Sequence, residues 1–568
     1  MLRTTEALVT ALPAAGGLAV QAGTQARLLP WPLAAQLLDD PGLVLQTASA
    51  GDCSPWDTER LIAACAAGDG AALRLLAACP QPPRRAVQEL ARHPRRWRRT
   101  LDLEVFAGDL AAACCRAGLA LPVGEALADV ALVARLFAGL GGQVAVRDRL
   151  ASAYPHLGDA AWSATTGQLA ERIVLDGARR EDVRRAIAPG DLLVAELLGD
   201  AARFRVRRAD VQAAADAILG CRVRWDAEGR LELEYPQAWS WAVGGVALGF
   251  GVGGMHSSDP AGLVEGPLVD LDVASYYPSL IAADGIAPPQ LADFAARTQA
   301  LLRRRLAAKR AGDTVTGSAL KYVINSLYGQ LGNSRSALFS PADALRVVLT
   351  GQLRLLQLID AVLEAGCALI SANTDGIIVR GDPAAAAAGW EAATGLALER
   401  TPYRRLWRTS VNDYVAQGPD GGVAKAKGRF GGGDEDGSAR RAAAPIIARA
   451  VVERLVHGRD LAATVARADA VADFTCWRRA RGLQWDGAPV AGPVVRWVVA
   501  ARGRPLVQST ASRETSTVAA HALLVPDPAR AELAAIDRGW YLEEARRLVD
   551  QVEGTTQGAR QLSLLEGP

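Results

Sequence analysis

The stretch Ala368-Leu-Ile-Ser-Ala-Asn-Thr-Asp-Gly-Ile-Ile-Val379 constrains the fold of this 568-residue chain more than any other. Two apolar runs of strand length flank Asn, Asp and Gly, the residues that tight hairpin turns favour. The segment therefore reads as strand–turn–strand with Asp375 at the turn. Far upstream, Leu268–Val273 is a second apolar strand, with Asp270 and Asp272 at its end. Asp375 alone is what an ordinary hairpin turn contains, and an aspartate alone can simply cap a strand end.

The surrounding sequence is too long for one core, so several domains are expected. With 50% hydrophobic and 22% charged residues it has the composition of a soluble globular protein. The most apolar run, Trp239–Met255, is glycine-rich and favours a buried strand pair over a membrane helix. No secretory pattern opens the chain. The eight cysteines contain no CxxC pair, which points to free thiols in a reducing cytoplasm rather than a zinc site. A net charge of +2 decides nothing about nucleic acid. Arginine clusters at Arg95–Arg99, Arg303–Arg305, Arg404–Arg408 and Arg478–Arg481 suit phosphates, and suit solvated helix faces equally.

Lysine usage is more selective. Of 63 basic residues only Lys309, Lys321, Lys425 and Lys427 are lysine. A compact ammonium and a planar guanidinium are not interchangeable where a point charge meets a phosphate or a base edge. These four are therefore functional candidates. Around them, residues 136–235 read mostly as helix, and Val252–Ser258 as a glycine-rich turn region. Leu291–Arg310 and Thr316–Tyr328 read as helices about a Gly312–Asp313 break, and Ser340–Ala365 as a helix. Gly431–Gly437 reads as a flexible boundary. Residues 438–568 read as helical with one strand-like piece, Pro493–Ala500.

Four segments carry the chemistry that two-metal nucleotidyl transfer needs: carboxylates on rigid strands, cations facing a triphosphate, and a clamp on the primer end. Asp270-Leu-Asp-Val-Ala-Ser-Tyr-Tyr-Pro-Ser-Leu-Ile281 resembles motif A of family B DNA polymerases. The resemblance makes Asp272 a metal ligand through its carboxylate and Val273 one through its carbonyl. It makes Tyr277 the plate under the sugar that excludes a ribose 2′-hydroxyl, and leaves Asp270 structural. Leu320-Lys-Tyr-Val-Ile-Asn-Ser-Leu-Tyr-Gly329 resembles motif B. Helical spacing puts Lys321, Asn325 and Tyr328 on one face. By the resemblance Lys321 meets the triphosphate, while Asn325 and Tyr328 shape the pocket for the nascent base pair. Arg305 and Lys309, at i and i+4, face the same triphosphate from the other helix. Ser371–Val379 resembles motif C, with Asn373 and Gly376 in place of the usual Asp and Ser. Asp375 keeps the essential carboxylate, and Asn373 lowers the local negative charge. Val423-Ala-Lys-Ala-Lys-Gly-Arg-Phe430 resembles the lysine element that holds the primer terminus. Lys425 and Lys427 alternate onto one strand face, and Asn412 and Tyr414 precede them as further DNA contacts. Gly253-Gly254 resembles the element that meets the template. His256 beside it is read as a hydrogen-bonded structural histidine.

The resemblance implies an α+β right-hand polymerase. Its parts are an RRM-like antiparallel palm, helical fingers and thumb, and a preceding ribonuclease H-like exonuclease-type domain. The divisions are 1–135 exonuclease-like, 136–250 connection, 251–290 palm, 291–335 fingers, 336–430 palm, 431–555 thumb and 556–568 tail. It implies two Mg²⁺ (or Mn²⁺), primer-template DNA and dNTPs, in a monomeric, cytoplasmic, nucleoid-associated protein of phage or prophage type with no membrane contact. The proofreading carboxylates look lost. Residues 1–45 hold no Asp-x-Glu pair, Asp57 and Asp129 are at most remnants, Glu125 sits where a Tyr belongs, and Asp102-Leu-Glu104 reads as a structural strand. Only about forty residues separate Gly329 from Asn373, too few for a DNA-encircling insertion. Gln561, Leu562, Ser563, Leu564 and Leu565 resemble a bacterial sliding-clamp peptide, a substitute source of processivity. The rival readings are a non-catalytic DNA-binding protein on a decayed polymerase scaffold, and a specialised lesion-bypass or primase-like enzyme.

Overall fold

The computed structural model describes residues 9–14, 17–22, 25–30, 101–102, 114–115, 141–158, 160–183, 187–234, 240–431, 444–509, 515–528 and 531–554. The architecture is mixed α+β with several open antiparallel sheets. At the amino-terminal end β1 (Val9–Ala14), β2 (Gly17–Ala22), β3 (Gln25–Pro30) and β4 (Leu101–Asp102) pair in that order. Asp102 lies in β4 opposite Arg27, as a structural strand would have it. Asp57, Glu104, Glu125 and Asp129 lie outside the described residues, and so does the tail from Gln561 to Leu565.

Helices α1 (Gly141–Ala153) and α2 (Thr166–Leu175) come next. Thr165 and Gln168 form a capping box that starts α2. Beyond them lie β5 (Gly190–Leu193), α3 (Ala209–Leu219), β6 (Arg222–Trp225) and β7 (Leu231–Glu234), the three strands making one small sheet. The apolar Trp239–Met255 run becomes strands, as its glycines favour: β8 (Ser240–Val243), β9 (Val246–Gly251) and β10 (Gly254–Ser257). The expected turn region at Val252–Ser258 is thus mostly strand. Only Val252 and Gly253 make the turn, with Gly254 in register opposite Gly251. Among the described residues no helix is long and apolar enough to cross a membrane.

The central sheet begins with β11 (Gly262–Val273), longer than the Leu268–Val273 strand expected because its first half alternates between half-buried and exposed positions. Helices α4 (Tyr276–Ala283), α5 (Phe294–Arg310), α6 (Thr314–Leu331) and α7 (Pro341–Glu364) succeed it. They lead to β12 (Ala368–Ala372), β13 (Gly376–Arg380), α8 (Ala384–Thr394), β14 (Leu398–Ser410), β15 (Asp413–Gln417) and β16 (Val423–Lys427). The six strands pair antiparallel in the order β12-β13-β11-β14-β15-β16. Alternation gives the sheet two apolar faces. Leu271, Leu369, Ile377 and Val379 join the main core with Leu280 of α4 and the leucines of α7. Leu268, Ile378, Tyr403, Leu406 and Tyr414 form a smaller core on the other face. Each fully buried leucine on α7, such as Leu355, Leu356 and Leu358, contributes about 1.5–3 kcal/mol.

The α5–α6 hairpin turns at Gly312, whose φ is +70°. Asp313 caps α6 by accepting from Thr316 N at 3.0 Å and Thr316 Oγ1 at 2.7 Å. Helices α1 and α2 brace this hairpin. Arg304 donates to Tyr154 OH at 2.9 Å and Arg297 to Val174 O at 2.7 Å.

The last segment departs from expectation. Residues 444–554 contain α9 (Pro445–His457), α10 (Leu461–Arg467) and α11 (Arg538–Glu553), but also a five-stranded antiparallel sheet. Its strands are β17 (Cys476–Arg479), β18 (Leu483–Trp485), β19 (Ala488–Pro489), β20 (Val494–Ser509) and β21 (Thr515–Leu524). Polar and arginine-rich positions on these strands erase the period-2 signal, so only the Val-rich start of β20 was readable. This sheet and its helices share a core with Trp407, Val415 and Phe430 of the central sheet's far edge. Among the described residues Cys114, Cys115, Cys221, Cys367 and Cys476 are buried.

Candidate active site

The pairing of β11 with β13 sets Asp272 directly opposite Gly376. Val273 N donates to Asp375 O at 2.8 Å, so Asp272 and Asp375 stand at adjacent strand ends. Gly376 makes this approach possible. A Cβ there would lie 2.5 Å from Asp272 Oδ1 and 2.6 Å from Leu271 O. Asn373 closes the turn, its Oδ1 accepting from the amides of Asp375 and Gly376, both at 3.0 Å. Its side chain thus serves the backbone, an Asx-type turn.

Charge at this corner is concentrated. Asp375 is exposed at the turn, but partial desolvation by the surrounding corner raises its carboxyl above the usual aspartate range, the charge of Asp272 raises it further, and Lys427 and Lys425 oppose both. Asp270 is raised by burial and then by Asp272, opposed by Lys425 and the hydrogen bond from Tyr403. Lys425 Nζ lies 2.6 Å from Asp272 Oδ2 and 2.9 Å from Asp270 Oδ2. Burial disfavours its charge, but Asp270, Tyr414 and Asp272 outweigh that and hold the ammonium well above the usual lysine range. Lys427 Nζ sits 5.9 Å above the Tyr414 ring. Tyr414, expected on DNA, is 4% exposed and lies under the lysines instead. Asn412 is exposed at the β14–β15 turn.

Two tyrosines line the next wall. Tyr276 is buried and donates to Gly351 O at 2.5 Å, a core role. Tyr277 is half-buried, its ring centroid 4.5 Å from that of Tyr328 and its hydroxyl 3.3 Å from Gly253 O. Burial, then Tyr328 and Asp375, push its hydroxyl far above the usual tyrosine range, so it stays protonated. Lys321 and Asn325 are exposed on α6, on the face that ends in half-buried Tyr328. From α5, Arg305 Nη1 donates to Ser275 Oγ. Lys309 Nζ lies 3.1 Å from Glu399 Oε1. Glu399 faces Asp272 across β14. It was not singled out from sequence, because a lone glutamate in a strand carries no motif; only the register brings it here.

The Gly253–Gly254 turn belongs to the same corner. A Cβ on Gly254, whose φ is +131°, would lie 2.7 Å from the Thr374 side chain. His256 Nε2 is 3.3 Å from Thr374 Oγ1, the hydrogen-bonded position expected. Gln352 Nε2 ties the hairpin to α7 through Gly251 O at 2.6 Å and Gly254 O at 3.1 Å.

Among the described residues no three His, Cys, Asp or Glu side chains gather as a metal cluster. The side-chain donors at this corner are the two carboxylates of Asp272 and Asp375, hard oxygens that suit Mg²⁺ or Mn²⁺, which bind through one or two carboxylates plus substrate phosphates and water. Mutual repulsion between Asp272 and Asp375 fits a site that takes a cation.

No family model matches the chain, and no curated protein matches it. Among solved structures it is similar to the family B DNA polymerase from the hyperthermophilic archaeon Pyrobaculum calidifontis, at 14% identity and a TM-score of 0.39. That likeness covers 75% of this chain and 56% of the other.

Proposed function

We propose that this chain is a template-directed, primer-dependent DNA polymerase that works by two-metal deoxynucleotidyl transfer. The observation that carries the reading is the meeting of Asp272 and Asp375 at paired strand ends. Beside them stand Lys425 and Lys427, and Lys309 pairs with Glu399 opposite Asp272, three of the four lysines of a chain whose other basic side chains are arginine. In this reading β11–β16 are the palm, α5–α6 the fingers, residues 444–554 the thumb, and the chain is of phage or prophage type without proofreading.

Divalent cations, when bound, would lower the pKa of the primer 3′-hydroxyl and neutralise charge on the phosphates. Asp272, Asp375 and the Val273 carbonyl would hold them. Lys321, Arg305 and Lys309 would receive the triphosphate. The Lys309–Glu399 pair is exposed on both sides, worth only about 0–1 kcal/mol, so exchanging Glu399 for phosphate costs little. Tyr277, packed on Tyr328, would lie under the sugar and reject a 2′-hydroxyl. Asn325 and Tyr328 would bound the nascent pair. Lys425 and Lys427 would hold the primer terminus, with Asn412 beside them, and Gly253 and Gly254 would pass the template.

Primer extension with Mg²⁺ and dNTPs tests this. The wild type should extend a primer as its template directs, and Asp375→Ala should lose at least about a thousandfold. A wild type that binds DNA without extending it would leave the non-catalytic reading instead.

A further inference from the structure

The buried carboxylate of Asp270 has no part in that reaction scheme, yet it touches the residue that faces Asp272. Asp270 and Asp272 are two apart on β11 and point to the same side. The Asp270 side chain is 5% exposed, against 32% for Asp272. Tyr403 OH donates to Asp270 Oδ2 at 2.6 Å and fixes that carboxylate in place. Lys425 reaches both aspartates from β16, across the two intervening strands β14 and β15.

This arrangement poses a competition. Lys425 Nζ, 2.6 Å from Asp272 Oδ2, occupies an oxygen that a divalent cation would also seek. An ammonium stripped of every partner in a half-buried site is costly. Asp270 removes that obstacle, because its oxygen is already within 2.9 Å. The side-chain type matters too. An ammonium donates three hydrogens from one point, so it can hold two carboxylates and release one without rebuilding the other. A planar guanidinium would have to reorient as a whole. Here, among 59 arginines, the chain places a lysine.

We infer that Asp270 is a positioning residue that holds Lys425 when Asp272 turns to a divalent cation, so that cation binding at Asp272 does not strand the ammonium. The inference rests on the metal-binding reading of Asp272. It makes Asp270 act through Lys425 and not through contact with the reacting atoms.

Mn²⁺ binding to the full chain without DNA, measured by electron paramagnetic resonance, tests it as a double-mutant cycle. Asp270→Asn is expected to weaken binding about fivefold or more, and to change it by less than about twofold in the Lys425→Met background. Equal weakening on both backgrounds would show only the loss of a nearby negative charge and would overturn the assignment. So would no change from Asp270→Asn alone, or no Mn²⁺ binding by either the wild type or Lys425→Met. If Asp270→Asn does not fold, Asp270→Ser serves in the same cycle: it should weaken Mn²⁺ binding about fivefold or more alone and by less than about twofold beside Lys425→Met, and equal weakening on both backgrounds would overturn the proposal. Because this cycle needs neither DNA nor dNTP, a chain that shows the coupling but extends no primer would lose the polymerase reading and keep this one.

Discussion

Asp375 is exposed at its turn, yet the crowded corner desolvates its carboxyl and Asp272 repels its charge, and that sets a pH dependence damped by solvent. Its carboxyl is raised by this desolvation and by Asp272, so the folded state holds the proton more tightly than the unfolded chain does. Between the unfolded and the raised folded pKa the folded state binds more protons, and stability therefore falls as pH rises through that window. Above it the full cost remains. Without added metal and in a chelator, Asp375→Asn should melt no lower than the wild type near neutral pH, with a gain of at most about 1 °C because solvent screens the exposed carboxylate. The gain should shrink to nothing as pH falls below the ordinary aspartate range, while primer extension is lost. Melting curves across pH read this directly; a variant that melts lower at neutral pH would contradict it. The residues beside Asp375 show what a sequence reveals at this scale. The sequence shows Asp272 and Asp375 as aspartates at two distant strand ends, and the β11–β13 register brings those ends together. Asn373 and Gly376 looked like departures from motif C, and only the register explains them: one closes the turn, and the other leaves room for Asp272. Tyr414 is expected on DNA only by its place before the lysine element, and that spacing carries no sign that the sheet buries its ring.

At the scale of elements, legibility depended on whether a segment carries its own punctuation. The α5–α6 hairpin was readable because Gly312-Asp313 both breaks the chain and caps the start of α6. Asp313 also takes part in the brace from α1, lying 3.8 Å from Arg149. Asp313→Ala removes the cap and should cost about 1 kcal/mol, seen as a lower denaturant midpoint with little change in slope. Exchange of the amide hydrogens in the first turn of α6 should speed up, and an unchanged midpoint would mean that packing from α1 and α2 alone holds that turn. The β17–β21 sheet was not readable, for the opposite reason. Its strands carry Arg478, Arg479, Arg496, Arg502 and Arg504, and Thr515-Ser-Thr517 is exposed throughout. Arg496 is 1% exposed in the middle of β20 and donates to Cys114 O at 2.8 Å. A buried arginine satisfied by a distant carbonyl leaves no pattern in its own segment.

For the whole molecule, the interval between α6 and β12 limits how the chain would hold DNA under the proposed function. It is filled by α7, a 24-residue helix with sixteen buried positions that packs beneath the central sheet. Every turn of that helix is committed to the core, so no loop from this interval is free to encircle a duplex. On the proposed polymerase reading, the cations around the site would hold phosphates by a grip that weakens steeply with salt. A polymerase built this way should release its template after few additions unless something tethers it. Gln561–Leu565 supplies a tether by sequence resemblance alone, since it lies outside the described residues. Tethering multiplies local concentration without touching the chemical step. Deleting Gln561–Pro568 should therefore leave the rate of single-nucleotide addition unchanged and shorten products only when a loaded bacterial sliding clamp is present. If the deletion shortens products equally without the clamp, the tail acts on DNA or on folding. If it changes nothing with the clamp, the resemblance of those five residues is accidental.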